Sequence, residues 1–552
     1  MRLPRISGTV LRQLARLART RAGGATLEVA VRADFQLDAL ASIGEALRGA
    51  VPLHNRPTQA RKPRAWTDAR LPAVRDRAWA GTSYAYVAAY ETRRLTPEEV
   101  TRRTLEEARR LDAMTPAMGP LSFSGDDVAT TDAEASGDRY RAGVARGPLD
   151  GVCFAVKEQT AVAGMPRQSG TRYREATPQP GDATIVKRLR AAGAVVIGVT
   201  PMTEHGMSPL GYNPFRRMPR NPHDAGRLAG GSSTGSGVAV ATGLVPIALG
   251  VDGGGSIRIP SSLNGVFGIK PTWGRVSRAG DDSSGSVAHV GPLASSPFDL
   301  ALVLETVGAS DPLDPETEHA PPIARGSLLS ALGRGVKGAR IGVDEREWEE
   351  ASEPVARAGK QALAALEKDG AVLVPVRGEL SRFALPIGAM TIALETRAAL
   401  DGDWRAHADL MSDDLQLVMA ILGELGAVEY VGAQRLREGL RAETAKLLSE
   451  VDVLALPTTA TTAPAVTDAQ FASGFMDSAA TREMCRFNFL GNLTGLPAAS
   501  MPVGLDPNGL PIGLQIVGDA WDEASVLAVC AHAERAGIAE VVRPRVHVGV
   551  LG

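Results

Sequence analysis

Two clusters rich in glycine and serine hold the residues best suited to chemistry. They occupy residues 230–237 and 253–256, and a run of small and aliphatic residues separates them. Glycine lets the backbone adopt positive φ or approach a ligand closely, and a serine hydroxyl can be activated as a nucleophile. Because apolar and β-branched residues surround both clusters, we interpret them as two loops that meet at one site. Flexible linkers of similar composition have polar surroundings.

The second cluster is suited to stabilising a developing negative charge. Gly253, Gly254 and Gly255 leave consecutive backbone N–H groups free to converge on an oxyanion. Ser256, at the end of these glycines, is the natural nucleophile. Ser232 of the first cluster could then pass the proton of the nucleophile to a base.

Lys157 is the candidate base. It follows the short apolar run 152–156, which predicts a buried strand after a Pro-Leu-Asp-Gly turn. Burial disfavours the charged form of a lysine and lowers its pKa, and a neutral amine can accept a proton. The position of Lys157 at a strand end does not by itself identify a base, since most lysines at strand ends extend to water.

Other glycine-rich motifs fit the two clusters less well. A phosphate-binding loop needs a lysine after the glycines, and a dinucleotide-binding loop needs G-x-G-x-x-G after a strand; neither cluster supplies these. Residues 231–235 match the nucleophile elbow G-x-S-x-G with Ser233 central, but residues 221–228 before them are polar and loop-like where the elbow needs a strand. The elbow also needs a histidine, and no context distinguishes the candidates His289, His319, His407, His532 and His547.

Longer stretches around both clusters form a specific pattern. They read A-G-G-S-S-T-G-S-G at 229–237, V-D-G-G-G-S-I-R-I-P at 251–260 and G-I-K-P-T at 268–272. G-V-C-F-A-V-K-E precedes them, and L-T-G-L-P-A-A-S-M-P-V-G follows. Together these stretches resemble the signature of the amidase signature family, and the resemblance covers the chain from about residue 83 to the C-terminus.

That resemblance implies a Ser–cis-Ser–Lys triad. The family's lysine falls on Lys157, its bridging cis-serine on Ser232 and its nucleophile on Ser256. Its oxyanion donors fall on the backbone N–H groups of Gly253, Gly254, Gly255 and Ser256. The implied activity is cleavage of the C–N bond of a small linear amide through a serine acyl-enzyme, with neither a cofactor nor a metal.

Two positions depart from the family pattern. The family usually has threonine or isoleucine where this chain has Gly253, and glycine where it has Thr234. Neither change removes a catalytic side chain, but Gly253 leaves the rate and the acyl preference open. Lys270 lies in the G-I-K-P-T motif, and we interpret it as a buried structural lysine at a strand edge.

The resemblance points to substrate contacts around residues 202–207 and in a helical insertion around 384–431. Most candidate side chains there are apolar, which suits an aliphatic or aromatic acyl group. Core packing is the competing interpretation for each apolar one. The substrate-binding candidates are Met202, His205, Met207 and Trp404, with Leu385, Ile387 and Met390 as further apolar candidates.

Two related activities stay open. The family includes the glutamine-hydrolysing subunit of tRNA-dependent amidotransferases, but that subunit usually lacks a long basic extension. Cys485 also falls where an acidic glutamine-binding residue is expected. An acyltransferase would use the same acyl-enzyme and pass the acyl group to an amine in place of water.

The order of elements indicates the α/β class. A helix predicted at 183–189 precedes an apolar strand at 194–199, and a helix followed by a strand recurs after residue 237 and before residue 453. The resemblance implies a large, mixed, mostly parallel twisted sheet with helices on both faces. It also implies a single domain over residues 81–552, with a helical substrate-side insertion at about 380–450.

Residues 1–80 form a basic extension of different character. They hold fifteen Lys or Arg against six Asp or Glu, and apolar residues between 10 and 18 recur near helical spacing. Such a helix can lie on a membrane surface or pack on protein. We favour an extra helical layer on the main domain or on a second subunit, which leaves a homodimer open, over membrane contact through residues 1–20. The Pro- and Arg-rich run 51–72 predicts an extended linker.

The composition of the chain bears on other classes of protein. The net charge of −2 gives no basic field for binding nucleic acid, and the chain has no run of eighteen apolar residues that would predict a membrane span. The three cysteines fit neither a disulfide framework nor a zinc-site spacing. We therefore expect a cytoplasmic protein that binds no nucleic acid.

Overall fold

The computed structural model describes residues 5–50, 54–60 and 81–552. In these ranges the strands are β1 Ile6–Ser7, β2 Phe123–Ser124, β3 Cys153–Lys157, β4 Val195–Thr200, β5 Ile247–Asp252, β6 Phe267–Lys270, β7 His289–Ala294, β8 Arg340–Val343, β9 Val372–Pro375, β10 Val453–Pro457, β11 Phe475–Met476, β12 Ala498–Leu505 and β13 Pro511–Gly518. The α-helices are α1 Gly8–Ala18, α2 Arg21–Asp34, α3 Ser83–Glu91, α4 Pro97–Asp112, α5 Asp126–Ala142, α6 Thr184–Ala191, α7 Thr234–Ala241, α8 Arg258–Asn264, α9 Pro297–Val307, α10 Ser327–Ala331, α11 Glu345–Glu349, α12 Glu353–Lys368, α13 Ala384–Ala399, α14 Asp401–His407, α15 Asp413–Leu422, α16 Ala427–Glu450, α17 Asp468–Ser473, α18 Ser478–Cys485, α19 Phe489–Thr494 and α20 Glu523–Arg535.

Eleven of the described strands form one sheet, in the order β2-β4-β3-β5-β7-β6-β12-β13-β10-β8-β9. The predicted α/β class with a large mixed sheet is thereby confirmed. Strands β4, β3 and β5 are parallel, as are β10, β8 and β9. The six other neighbouring pairs are antiparallel, so parallel pairing is less extensive than expected. One of these antiparallel pairs, β12 with β13, is joined by a short turn, whereas parallel pairs need a crossover, usually a helix.

Both faces of the sheet are covered. In β10, Val453 and Ala455 belong to one core cluster, and Leu454 and Leu456 belong to another. Successive side chains of a strand point to opposite faces, and all four are buried, so neither face meets solvent at this strand. Burial on both faces explains the continuous apolar run V-V-I-G-V-T of β4.

The carboxyl ends of β3 and β5 lie where the winding of the sheet changes direction. β3 leads through α6 to β4 on one side, and β4 leads through α7 to β5 on the other side of β3. In open α/β sheets such a switch point leaves a crevice at the carboxyl ends of the strands. Lys157 ends β3 and Asp252 ends β5, so the candidate residues converge at this crevice.

Residues 5–50 form an extra layer on the insertion helices of the same chain. Helix α1 buries its apolar face against α15. Arg5 and Arg12 form ion pairs with Asp477 at 2.7 Å and Asp413 at 3.5 Å. This is the helical layer that we favoured from the sequence, while contact with a second subunit stays a prediction and membrane contact stays the alternative that we did not favour. Apart from residues 54–60, the predicted linker at 51–72 lies outside the described residues, and so does the predicted end of the extension at residue 80.

Helices α13 to α16 occupy the predicted insertion, between residues 384 and 450. Helices α13 and α15 supply much of the wall of the larger cavity described below. In the described ranges, no single helix has both the length and the apolar composition to cross a bilayer. Two sharply bent pairs, one ending at residue 410 and one at residue 450, meet those criteria only when taken together.

Candidate active site

The Lys157 side chain is buried at the carboxyl end of β3. Its Nζ donates to the Ser232 Oγ at 2.7 Å and to the Val251 carbonyl oxygen at 3.3 Å. Burial lowers the pKa of Lys157 from 10.5 to about 7, although nearby carboxylates, Asp281 first among them, act in the opposite direction. A large fraction of Lys157 is therefore neutral near pH 7, as a general base requires.

Ser232 lies in the tight loop that precedes α7. Its peptide bond to Gly231 is cis, in agreement with what the family resemblance implied. The Gly231 N–H donates to the Pro209 carbonyl oxygen at 2.8 Å. A Cβ on Gly231 would lie 3.0 Å from the Gly211 nitrogen and the Ser208 carbonyl oxygen, so a side chain here would press on neighbouring backbone. Glycine is therefore the residue that lets Ser232 reach Lys157.

The loop that carries Ser256 is held together by a buried carboxylate. Asp252 accepts from the N–H groups of Gly255 at 2.7 Å and Ile257 at 3.1 Å, and from the Arg258 guanidinium at 2.8 and 3.0 Å. Burial raises the pKa of Asp252, but the charge and hydrogen bonds of Arg258 outweigh it and hold the pKa below its usual range. This ion pair was not among the residues predicted from the sequence, although both partners lie in the matched motif.

The predicted oxyanion site depends on backbone N–H groups near Ser256 that have no other partner. Within the described ranges, the backbone N–H groups of Gly253, Gly254 and Ser256 donate to no acceptor. Each of these residues lines a cavity beside the Ser256 side chain. Gly255 departs from the predicted donor set, because its N–H is already engaged by Asp252. This glycine shapes the loop, with φ at 117°, and does not present a free donor.

Two cavities meet at Ser256. The smaller, of about 80 Å³, has walls of mixed character that are more polar than those of the larger one, and we call it the polar cavity. Its polar residues include Lys157, Gln159, His205, Ser232, Asp282 and Ser283. The larger, of about 230 Å³, has mainly apolar walls supplied by α2, α13, α15, the segment 475–478 and Cys485. Gly206, Met207 and Ile392 line both cavities and mark where they join.

Several predicted substrate residues line these cavities. Met207 lines both, and His205 lines the polar one. Leu385 and Met390 of α13 line the apolar one. These four side chains are therefore placed where a substrate could touch them, and their role stays a prediction.

The other substrate candidates lie behind the cavity walls. Met202 is buried and packs under Gly206. Ile387 is fully buried in the core cluster on one face of the sheet. Trp404 packs against the small cluster around Met411. None of the three lines either cavity, and core packing accounts for their positions.

A network that the sequence did not reveal holds His205. The His205 Nε2 lies 2.6 Å from the Tyr173 hydroxyl, which donates to Asp403 at 3.2 Å. Arg174 bridges Asp403 and Asp282. Burial, with the Arg174 charge, lowers the pKa of His205 to about 4. The imidazole ring is therefore neutral near pH 7. Because the Tyr173 hydroxyl donates its proton to Asp403, it can accept a hydrogen bond from the Nε2–H of His205.

Ser233 and Lys270 have structural roles in this geometry. The Ser233 hydroxyl accepts from the Val251 N–H at 3.2 Å and donates to the Val251 carbonyl oxygen at 3.4 Å, so it is tied to β5. Lys270 is buried and donates to the carbonyl oxygens of Pro271 at 3.0 Å and Leu496 at 2.5 Å. These contacts favour the structural interpretation of Lys270 and give no support to an elbow nucleophile at Ser233.

The two departures from the family pattern have different surroundings. A Cβ on Gly253 would lie 2.9 Å from the Ile392 Cδ1, so an insertion side chain occupies the space that a larger residue would need. Thr234 begins α7 and is fully buried, and its hydroxyl has no hydrogen-bond partner among the described residues.

The N-terminal extension also reaches the site. Val31, Phe35 and Leu37 line the larger cavity together with Ser256. From the sequence we expected only an added layer here, because no local motif links these residues to a cavity whose wall includes helices α13 and α15, far along the chain.

Comparison with known proteins identifies the family. The family model described as Amidase matches residues 99–527. A fatty acid amide hydrolase from Medicago truncatula is 35% identical over 493 residues, covering 86% of this chain and 79% of the relative. A glutamyl-tRNA(Gln) amidotransferase subunit from Chloroflexus aurantiacus is 33% identical over 483 residues, covering 82% and 97%. A solved chain from a vestigial complex related to the origins of an s-triazine catabolic enzyme matches with a TM-score of 0.75 at 30% identity, covering 84% and 100%.

These relatives and structural neighbours include hydrolases that act on amides. The chain belongs to the amidase signature family.

Proposed function

We propose that this protein hydrolyses a carboxylic amide with an apolar acyl group through an acyl-enzyme on Ser256. The observation that supports this most directly is the 2.7 Å hydrogen bond between buried Lys157 and Ser232. The pKa of Lys157, lowered to about 7, leaves an amine that can accept a proton. A lysine at its ordinary pKa would be charged at neutral pH and could not do so.

In the first step Ser256 Oγ attacks the amide carbonyl carbon, and a C–O bond forms. The Ser256 hydroxyl proton moves to Ser232 as the Ser232 proton moves to the Lys157 amine. The carbonyl oxygen becomes an oxyanion, which the N–H groups of Gly253 and Gly254 and of Ser256 itself stabilise. Each such donor contributes roughly 3–4 kcal/mol.

In the second step the tetrahedral intermediate collapses and the C–N bond breaks. Ser232 gives its proton to the leaving nitrogen and regains one from Lys157, so the amine departs neutral. Water then attacks the Ser256 ester by the reverse relay. The carboxylic acid is released, and the Ser256 hydroxyl is restored.

The relay determines which part of the substrate enters which cavity. Because Ser232 protonates the leaving nitrogen, the amine portion lies in the smaller polar cavity, whose wall includes Ser232 and Lys157. The acyl portion then extends into the larger apolar cavity beside Gly254. Such walls suit an aliphatic or aryl acyl group, which is consistent with the name of the fatty acid amide hydrolase relative.

Turnover of a panel of amides by the purified chain tests this proposal. The panel holds one amine constant and varies the acyl group from acetyl to long alkyl and arylalkyl. We expect amine release from the apolar members, and a loss of about three orders of magnitude or more in Ser256→Ala. Near-wild-type turnover by Ser256→Ala would contradict the proposal.

Glutamine hydrolysis is the competing function that a relative supports, since the Chloroflexus protein belongs to an amidotransferase. The larger cavity around Cys485 is mainly apolar, which disfavours the charged groups of glutamine. Asp414 and Asp477 also line it, but Asp477 is already paired with Arg5 at 2.7 Å. Ammonia release from glutamine by the chain alone, compared with release from an apolar primary amide, separates the two. Adding hydroxylamine to the apolar assay measures how the acyl-enzyme partitions between an amine and water, because transfer yields hydroxamate and hydrolysis yields acid. A hydrolase keeps acid as its main product at low hydroxylamine concentration, and an acyltransferase does not.

A further inference from the structure

The wall of the larger cavity is not built by the catalytic domain alone. Helices α13 and α15 form one part of it, within the region that matches the family model at 99–527. Val31, Phe35 and Leu37 of the N-terminal extension form another part, and they lie outside that region. The cavity that opens on Ser256 is thus completed by a segment that the family domain does not include.

Apolar packing fixes this segment against the insertion. Leu37 is 7% exposed and packs with Met390 of α13 and Ala433 of α16. Phe35 packs against the same cluster and is half-buried, because part of its surface lines the cavity. At Gln36, between the two, the backbone takes a left-handed conformation with φ at 56°. The chain therefore turns between two residues that both line the cavity.

Polar contacts hold the segment in the same place. Arg32 lies 3.6 Å from Glu429 of α16. Arg482 donates to the Asp34 carbonyl oxygen at 3.1 Å. Further along, the Gly49 N–H donates to the carbonyl oxygen of Arg435 at 2.9 Å. Backbone anchored on both sides of residues 35–37 makes them a fixed part of the wall and not a free terminus.

We infer that Phe35, with Val31 and Leu37, sets which acyl groups the site accepts. The inference rests on the proposed function, in which the acyl group occupies this cavity. An acyl chain long enough to reach the wall gains about fourfold in kcat/KM for each methylene group that it buries there. A chain that reaches beyond the wall must displace Phe35, so acyl groups above that length are disfavoured.

The rate of covalent labelling by alkyl fluorophosphonates of increasing chain length tests the inference. Ser256 Oγ forms a bond to phosphorus, the P–F bond breaks, fluoride leaves, and the serine proton passes to the Ser232–Lys157 relay. The second-order labelling rate for each probe is read from the intact mass of the full chain. Short probes report only on the reacting groups, and long probes report on the wall as well. The test variants are Phe35→Ala, which enlarges the cavity, and Phe35→Trp, which fills it.

Val29→Ala is the matched control, because Val29 lies on α2, the helix that ends just before Phe35, but is 65% exposed and lines no part of this cavity. We expect Phe35→Ala to shift the favoured chain length upward and Phe35→Trp to shift it downward. The long-to-short rate ratio should change about tenfold or more, while Val29→Ala leaves it unchanged. If Phe35→Ala does not fold, Val31→Phe takes its place as a second filling variant.

Two kinds of failure can be told apart. Absence of labelling at Ser256 by the short probe would reject the proposed function. Normal short-probe labelling with an unchanged chain-length profile in the Phe35 variants would reject the role of the N-terminal wall and leave the proposed function standing.

Discussion

The Lys157 Nζ donates to the Ser232 Oγ at 2.7 Å, and the two residues are 1% and 2% exposed. This contact joins the end of β3 to the loop before α7. The surrounding protein keeps water from the amine, and the desolvation that lowers its pKa also couples its protonation to folding.

Replacing Lys157 by methionine should change how stability depends on pH. The folded-state pKa of Lys157, about 7, lies below its usual value of 10.5, so between these pH values the unfolded chain binds one more proton. The free energy of unfolding of the wild type should therefore rise with pH in this window, by about 1.4 kcal/mol per pH unit relative to Lys157→Met. Urea unfolding of both proteins at several pH values measures the difference. If the free energies of unfolding of the two proteins changed with pH in parallel, Lys157 would not be desolvated in the folded state.

The three proposed catalytic side chains should behave as one unit. Lys157→Ala, Ser232→Ala and Ser256→Ala should each lower kcat by orders of magnitude, and the double variant of the serines should be little worse than Ser256→Ala.

In the wild type, kcat/KM should rise with pH through about 7 as Lys157 loses its proton. Multiplicative losses in the double variant, or a flat pH profile, would contradict the relay.

The Asp252–Arg258 pair should be essential for the Ser256 loop. Asp252→Asn leaves a buried guanidinium without its counter-charge, which typically costs 3–5 kcal/mol, about the size of a large core truncation. We expect a marked fall in the free energy of unfolding and a loss of activity. Glu106→Gln is the control, because its pair with Arg102 is 2.8 Å long but exposed, and such pairs contribute about 0–1 kcal/mol. Equal effects of the two substitutions would refute the structural role given to Asp252.

Adjacent glycines beside Ser256 should respond differently to alanine. At Gly253 the added Cβ meets the flexible end of Ile392, at 2.9 Å, and at Gly254 it meets the Phe489 ring at 2.6 Å. Gly253→Ala should therefore keep measurable activity, and Ile392→Val should restore part of what is lost, whereas Gly254→Ala should lose more. A double-variant cycle in kcat/KM measures the coupling between residues 253 and 392. Additive effects would mean that Ile392 does not fill the space at Gly253.

Short-range features of this chain were predictable from sequence. Thr96 and Glu99 form the capping box that begins α4, as a cap followed by proline and early acids indicates. The apolar run at 152–156 became β3, shifted by one residue to Cys153–Lys157. The resemblance of the motif stretches to the amidase signature family also pointed to Lys157, Ser232 and Ser256, and Lys157 and Ser232 are in contact in the structure.

What the sequence did not reveal depends on contacts between distant segments. The Asp252 carboxylate accepts a hydrogen bond from the Gly255 N–H because the loop bends and brings the two groups together. The residue types alone do not predict that bend. The Tyr173–His205 contact forms only when the loops before α6 and after β4 meet. Phe35 reaches the larger cavity because α1 and α2 pack on an insertion more than 350 residues further along the chain.

The most direct test of the proposed chemistry is to trap the acyl-enzyme formed from a true amide substrate. Rapid acid quenching, followed by intact-mass measurement and peptide mapping, reports whether the acyl group is covalently attached and to which residue. We predict an adduct of the acyl mass on Ser256 that forms in the wild type, forms far more slowly in Lys157→Ala and is absent in Ser256→Ala. An adduct on another residue, or rapid amide turnover by Ser256→Ala, would contradict the serine acyl-enzyme.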